Sequence, residues 1–379
     1  MSTSRGVSTS LAILLLAAAA GAQHTGAGLD AAALQAAVER GFRAAPRGFE
    51  ALLAPAQAGV GVVDVAVERT GPRRQRVTID LSQKTLTYDP SGDVEALLDQ
   101  VIRSTAALTA GAGDVEYRFL VDGLPLERFL PPPAVPGARR LALAPGGPVV
   151  ISAGHGWYRH EGSATWRLQR DYFWGIVEDF VNWDIAHAAR AELAAVGFTA
   201  RLVREPDRSA AHGVSGHPGW QEAAVYFVRA IGAPPAVWGI GVNEYARDIN
   251  SRPFYANWID AAGLVSIHNN GGEGTGTETW YDTSNDFEAA GAELASIINT
   301  HVVSAIRAQY DPAWPDRGLR SCNGCKGETR LALRPAVILE VGFMDTRSPD
   351  NDALHDARFT QIVARAIRDA LVAWAGLDD

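Results

Sequence analysis

Cysteine is almost missing from this chain: Cys322 and Cys325, spaced C-N-G-C, are the only two in 379 residues. Two thiols cannot build a structural zinc site, which wants four ligands. They also stand outside the strand–helix setting of a thioredoxin-like redox motif. In an exported protein the spacing suits a small loop disulfide; the other reading is two free thiols in a polar loop. Positive charge is not in excess either. Lys and Arg total 34 against 43 Asp and Glu, a formal net charge of −9. That argues against nucleic acid or an anionic membrane surface as the main partner. No internal repeat of roughly 20–50 residues is present, which excludes a solenoid. After the first 22 residues no run reads as apolar enough to cross a membrane, so no membrane span is expected in the mature chain.

What is there describes a globular protein with a proper core: 47% hydrophobic and 20% charged residues. The length suits two domains. Arg5 is the only charge in residues 1–22; Leu11–Ala20 is apolar but too short to span a bilayer, and Ala20-Gly21-Ala22 offers an A-x-A cleavage site. Residues 1–22 therefore read as a signal peptide, and the protein as exported, periplasmic or associated with the cell wall. No cysteine sits near the cleavage site to make a lipoprotein.

Residues 23–130 carry the pattern of a small α/β unit. An amphipathic helix over Leu29–Ala44 precedes strands at Val60–Val67, Arg76–Leu81 and Thr85–Tyr88. Pro90–Asp93 reads as a turn and cap. A helix follows with Val94, Leu97, Leu98, Val101 and Ile102 on one face, then a strand at Val115–Val121. The run from Arg76 to the Val121-Asp122-Gly123 turn resembles the GerMN module of exported and envelope proteins. The resemblance implies a binding or assembly accessory with a possible envelope protein partner. Residues 131–147, rich in Pro and Gly, read as a linker.

From residue 148 to 379 strand and helix patterns alternate: Val149–Ala153, Glu178–Val196, Thr199–Val203, Ala223–Ile231, Asn243–Asn250 with Pro253 breaking or restarting the helix, Ala262–Asn269, Asp286–Arg307, Ala336–Phe343 and Phe359–Ala375. This predicts a mostly parallel twisted sheet with helices on both faces. Three strands run into chemistry at one rim. The first ends in Gly154-His155-Gly156. The second ends in His268-Asn269-Asn270, and the third carries Glu340 before Val341-Gly342. Glu178 opens a helix that faces the same rim. Two imidazoles and a carboxylate suit a catalytic zinc ion, with a fourth position left for water. A second, non-ligating carboxylate could then take the water's proton.

In this order the motifs resemble the zinc-dependent N-acetylmuramoyl-L-alanine amidases of the Amidase_3 type. Gly154-His155-Gly156, Glu178 at the head of its helix, the strand running into Arg204, Ser266-Ile267-His268, the Gly276–Tyr281 segment and Pro335–Phe343 with Glu340 carry the match. The resemblance implies a peptidoglycan amide hydrolase with His155, Glu178 and His268 on Zn2+ and Glu340 as catalytic base. It also points to Arg252, Asn270 and Glu278 as substrate-binding candidates; Arg252 could bind a substrate carboxylate as a fork, or equally serve as a structural salt-bridge partner. Departures are visible. Residues 157–177 and 212–238 read as insertions, the second either a flap over the cleft or a packed surface helix. Asn269 replaces a small residue, and Glu161 is an alternative second ligand. Two rivals stay open: a zinc hydrolase of another wall amide or peptide bond, and an inactive wall-binding regulator.

Overall fold

The computed structural model describes residues 28–43, 61–83, 93–130 and 147–376. The expected signal peptide, the strand expected over 85–88, the turn before Asp93 and the Pro-rich segment up to Gly146 fall outside these residues.

Helix α1 (Ala31–Arg43) packs beside α2 (Asp93–Ser104) over strands β1 (Val62–Arg69), β2 (Arg74–Leu81) and β3 (Asp114–Val121). The alternation of β2 and β3 puts Val77, Ile79, Tyr117 and Phe119 under the helices. The apolar residues of α2 face this core, which leaves Glu95, Asp99 and Arg103 on another stripe, four residues apart. After Asp122-Gly123, where Asp122 takes a positive φ of 46°, comes a two-residue β4 (Leu124–Pro125).

The second half supplies β5 (Val149–Ala153), a hairpin of β6 (Tyr158–His160) and β7 (Thr165–Arg167), α3 (Glu178–Ala195), β8 (Ala200–Leu202), α4 (Ala224–Ala230), α5 (Glu244–Trp258), β9 (Gly263–Asn270), β10 (Thr277–Asp282), α6 (Glu288–Gln309), β11 (Asp316–Cys322), β12 (Ala336–Phe343) and α7 (Ala357–Trp374). Gly197 at φ 78° ends α3, as its sequence suggests. Helix α5 does not stop at Pro253. It starts at Asn243, whose side chain accepts from Ala246 N at 2.8 Å, and runs through the proline. Pro253 removes one helical hydrogen bond. Phe254, Tyr255 and Ala256, buried beneath the sheet, hold the next turn in place by packing.

Apart from the separate β6–β7 hairpin, the strands form one sheet in the order β1-β2-β3-β11-β10-β12-β9-β5-β8, with β4 paired to β3 off this path. Only the β1–β2 and β10–β12 joints along it are antiparallel. The expected mostly parallel, helix-covered sheet is what forms. It also crosses the Pro-rich segment: β3 pairs in parallel with β11, Val115 opposite Arg320 and Tyr117 opposite Cys322. Helices α3, α6 and α7 cover one face, over Ile151, Val265, Ile267, Val337 and Leu339. Helix α6 is long and apolar enough to cross a membrane by length and composition, contrary to the sequence reading, but its apolar side is part of this core. Helices α4 and α5 cover the other face, over Val150, Leu264 and Ala336. Ile338 joins the apolar cluster beneath α2. By alternation, Ser266, His268 and Glu340 project toward the face that α2 and α5 cover.

Candidate metal centre

Strand β5 turns sharply at its end. His155 has a φ of 65° and Gly156 a φ of 135°. A left-handed histidine is strained, and such strain is held only where the surroundings enforce it. The small neighbours explain how. A Cβ on Gly154 would collide with the His268 imidazole, and one on Gly156 with the backbone of Glu222 and Ala223. The turn brings the His155 ring edge-on to His268, centroids 4.7 Å apart.

His155 Nε2, His268 Nδ1 and Glu178 Oε1 form a triangle with sides of 3.0, 3.0 and 3.1 Å. Ligands at zinc distances on a common tetrahedral centre stand about 3.3 Å apart. All three residues are buried, and this is the one such group found among the described residues. The second Glu178 oxygen has no hydrogen-bond partner and lies 3.5 Å from Arg170 Nε. The Asn269 backbone N (3.1 Å) and Asn182 Nδ2 (3.2 Å) donate to Glu178 Oε1; the Asn269 side chain donates in turn to Asn182 Oδ1 and so braces that second donor. Donor types, spacing and burial fit a zinc ion.

A chain of polar side chains runs behind the triangle. Gln169 donates through Nε2 to Asp248 Oδ2 at 2.8 Å, so its other amide atom, 2.8 Å from His155 Nδ1, is the accepting oxygen. Nδ1 therefore carries the proton and Nε2 turns its lone pair to the triangle. Arg252 bonds Asp248 with one terminal nitrogen and Glu328 Oε1 with the other, the latter at 2.6 Å. Glu328 Oε1 stands 2.9 Å from His268 Nε2, while its Oε2 accepts from Ser266. Each imidazole is thus oriented from its far side, and the two supports are tied together through Asp248 and Arg252.

The electrostatics follow from burial and these contacts. Burial, with the Arg170 charge nearby, pushes His155 down to about 3, so it is neutral. Burial would also lower His268, but Glu328 and Glu178 outweigh it and raise the group to about 9. Glu340, on β12 opposite His268 on β9, is pushed up to about 7, chiefly by burial and then by Glu178. Its Oε2 has no partner, and it lines the cleft with both histidines. A carboxyl poised near neutrality can take a proton and return it.

The other sequence candidates go elsewhere. Glu161 is about half exposed and pairs with Arg247, outside the triangle. Arg252, Asn270 and Glu278, the substrate-binding candidates, are all buried and bonded to intramolecular partners, for Arg252 the salt-bridge alternative. Arg252 spends both terminal nitrogens on Asp248 and Glu328. Asn270 donates to Glu278 Oε1 at 2.8 Å. Glu278 binds Arg317 Nε at 2.6 Å, and Arg320 Nε lies 3.3 Å from it. Those arginines reach the carbonyls of Ala106 and Gly113, beyond α2. Glu278 thus braces the join between the two halves of the chain. Residues 212–238 form α4 and short turns packed on α5, the packed-helix alternative. Cys322 and Cys325 are disulfide-bonded.

Sequence reasoning missed Gln169, Asp248, Glu328, Arg170 and Lys326. Only the Asp248–Arg252 spacing on a helix offered a signal.

A search among curated proteins finds no match. Among solved structures, this chain is similar to an N-acetylmuramoyl-L-alanine amidase from Clostridium difficile 630 (20% identity, 62% of this chain and 100% of that one, TM-score 0.40). It is similar to the catalytic domain of the amidase CwlV from Bacillus (Paenibacillus) polymyxa var. colistinus (20%, 61% and 99%, 0.40). It is also similar to the CwlD amidase of Clostridioides difficile, solved with the GerS lipoprotein (17%, 61% and 100%, 0.40). The Amidase_3 family model, described as N-acetylmuramoyl-L-alanine amidase, matches residues 149–373, more than half of the sequence, a span that includes His155, Glu178, His268 and Glu340. The chain belongs to the N-acetylmuramoyl-L-alanine amidase family Amidase_3.

Proposed function

We propose that this protein is an exported, zinc-dependent peptidoglycan amidase that cuts the amide between the lactyl group of N-acetylmuramic acid and L-alanine. The observation that carries the reading is the triangle of His155, His268 and Glu178 with the partnerless Glu340 oxygen beside it. His155 Nε2, His268 Nδ1 and a Glu178 oxygen would hold the ion. Bound there, zinc polarises a carbonyl oxygen and acidifies water at neutral pH.

The chain's own residues do the rest. Glu340 takes the proton of the attacking water on its free oxygen and delivers it to the leaving nitrogen. Gln169 and Glu328 keep the imidazoles aimed, so little reorganisation accompanies the reaction. The export reading rests on residues 1–22 with their A-x-A site. The N-terminal stretch, similar to the GerMN module, reads as an accessory; it brings no metal donor to the triangle.

The test joins metal analysis to product analysis. The protein should hold one zinc, and digested wall should yield free lactyl groups with intact stem peptides. Cleaved stems, or wall clearing by His268→Ala at the parent's rate, would overturn the reading.

A further inference from the structure

Helix α2 lies across the mouth of the metal cleft. Glu95, Asp99 and Arg103, with Ala96, line the same small cavity as His155, His268 and Glu340. That cavity measures about 40 Å³. It has room for roughly one or two waters, whereas ligand sites run to several hundred cubic ångströms. A muramoyl peptide cannot enter while α2 stays in place.

The stripe is not a neutral cover. Asp99 Oδ1 lies 2.5 Å from Lys326 Nζ, and Asp99 Oδ2 lies 3.7 Å from Arg170 Nη2. Glu95 Oε1 accepts from Gly327 N at 2.8 Å. Lys326, Arg170 and Gly327 all belong to the catalytic half. Lys326 is further held over the Trp280 ring, 5.1 Å from its centroid. Arg170 comes from the 157–177 segment, and its Nε stands 3.5 Å from Glu178 Oε2, the oxygen outside the triangle. With Arg103 at 2.7 Å, three cations converge on one aspartate. Burial would raise its carboxyl, but together they hold it well below the usual range. If Asp99 left, two largely buried cations would lose a counter-charge, a costly state unless another anion arrives. The stem peptide beyond L-alanine carries such a group, a glutamyl carboxylate.

We propose that Lys326, Arg170 and the Gly327 amide form the subsite for a stem-peptide carboxylate, and that Asp99 and Glu95 fill it in the resting protein as a built-in mimic of substrate. The enzyme is then latent until α2 yields. The idea rests on the amidase reading for the identity of the peptide, but not on which metal is bound.

The test uses the full chain carrying Glu340→Gln, so that ligand is not turned over. Calorimetry compares N-acetylmuramoyl-L-alanyl-D-glutamate with its isoglutamine analogue, in which the carboxylate is a carboxamide. Asp99→Ala should bind the glutamate peptide about tenfold more tightly than the Asp99 parent, equivalent to about 1.4 kcal/mol. It should prefer that peptide over the carboxamide by a similar factor. Adding Lys326→Met should erase the preference while the carboxamide still binds. In metal-free protein, Asp99→Ala should also speed diethylpyrocarbonate modification of His268 severalfold, mapped by mass spectrometry. Unchanged affinity with unchanged His268 reactivity overturns the occlusion. Tighter binding that ignores the carboxylate overturns the subsite. Should Asp99→Ala fail to fold, the isosteric Asp99→Asn carries the same titrations. Absence of zinc from a protein that passes these tests would refute the metal reading and leave the subsite standing.

Discussion

Glu328 Oε1 and His268 Nε2 stand 2.9 Å apart, on the side of the imidazole that faces away from Glu178. A carboxylate in that place fixes which ring nitrogen is left for a metal, and it makes that nitrogen a better donor. Glu328→Gln should therefore lower zinc affinity about 10–100-fold while the fold persists. Competition against a chromophoric chelator measures it. Glu328→Ala should do more, because it leaves Arg252 with one of its two carboxylates. Removing one partner of a buried ion pair costs about 3–5 kcal/mol, visible in denaturant unfolding of the metal-free chain.

Metal uptake should release a proton. His268 titrates at about 9 in the metal-free protein, so at pH 7 it carries a charge that a ligand must lose. Calorimetric titration with zinc in buffers of different ionisation enthalpy should report at least one proton released at pH 7, from His268 and in part from Glu340, and almost none near pH 10. Equal release at both values would contradict the assignment of Nδ1 as a donor.

Hydrolysis should fall on the acid side of neutrality. Glu340 must be ionised to accept a proton, and burial sets it at about 7. The acid limb of the wall-clearing rate should follow that ionisation, shifted downward by any bound cation. Glu340→Gln should lose about 10²–10⁴ in turnover with zinc content unchanged.

The join between the halves should weaken in acid. Asp99 lies well below its ordinary 3.8 when folded, so its contribution is complete above that value and is lost as pH falls toward the folded value. Asp99→Asn should be less stable than the parent at pH 7, and the gap should narrow as pH drops below about 4. Urea unfolding at pH 7 and pH 3 gives the comparison.

The sequence was most readable where apolar pattern and chemistry coincide. Val149–Ala153, Gly263–Asn270 and Ala336–Phe343 are buried runs that end at or contain His155, His268 and Glu340, and the sheet brings these together. Thr277–Asp282 and Asp316–Cys322 gave no such signal. Both are polar strands in the middle of the sheet, and Arg317 and Arg320 are buried there against Glu278. Propensity cannot anticipate a charged strand whose partners lie forty residues away. The partners of Arg252 and Glu278 were hidden for the same reason: a motif names a residue, but only packing says what its side chain meets. The mouth of the cleft was invisible because its residues lie on α2, more than fifty positions before His155.

The pairing of β3 with β11 also bears on how this enzyme can be handled. A fragment begun at Pro148 would bare the β11 edge and uncover Trp280 and Ile338, which now sit in the apolar cluster beneath α2. Unprotected strand edges beside apolar surface recruit other chains. Recombinant work on the hydrolase half alone would therefore meet aggregation first, and loss of activity in such a truncation would say nothing about chemistry.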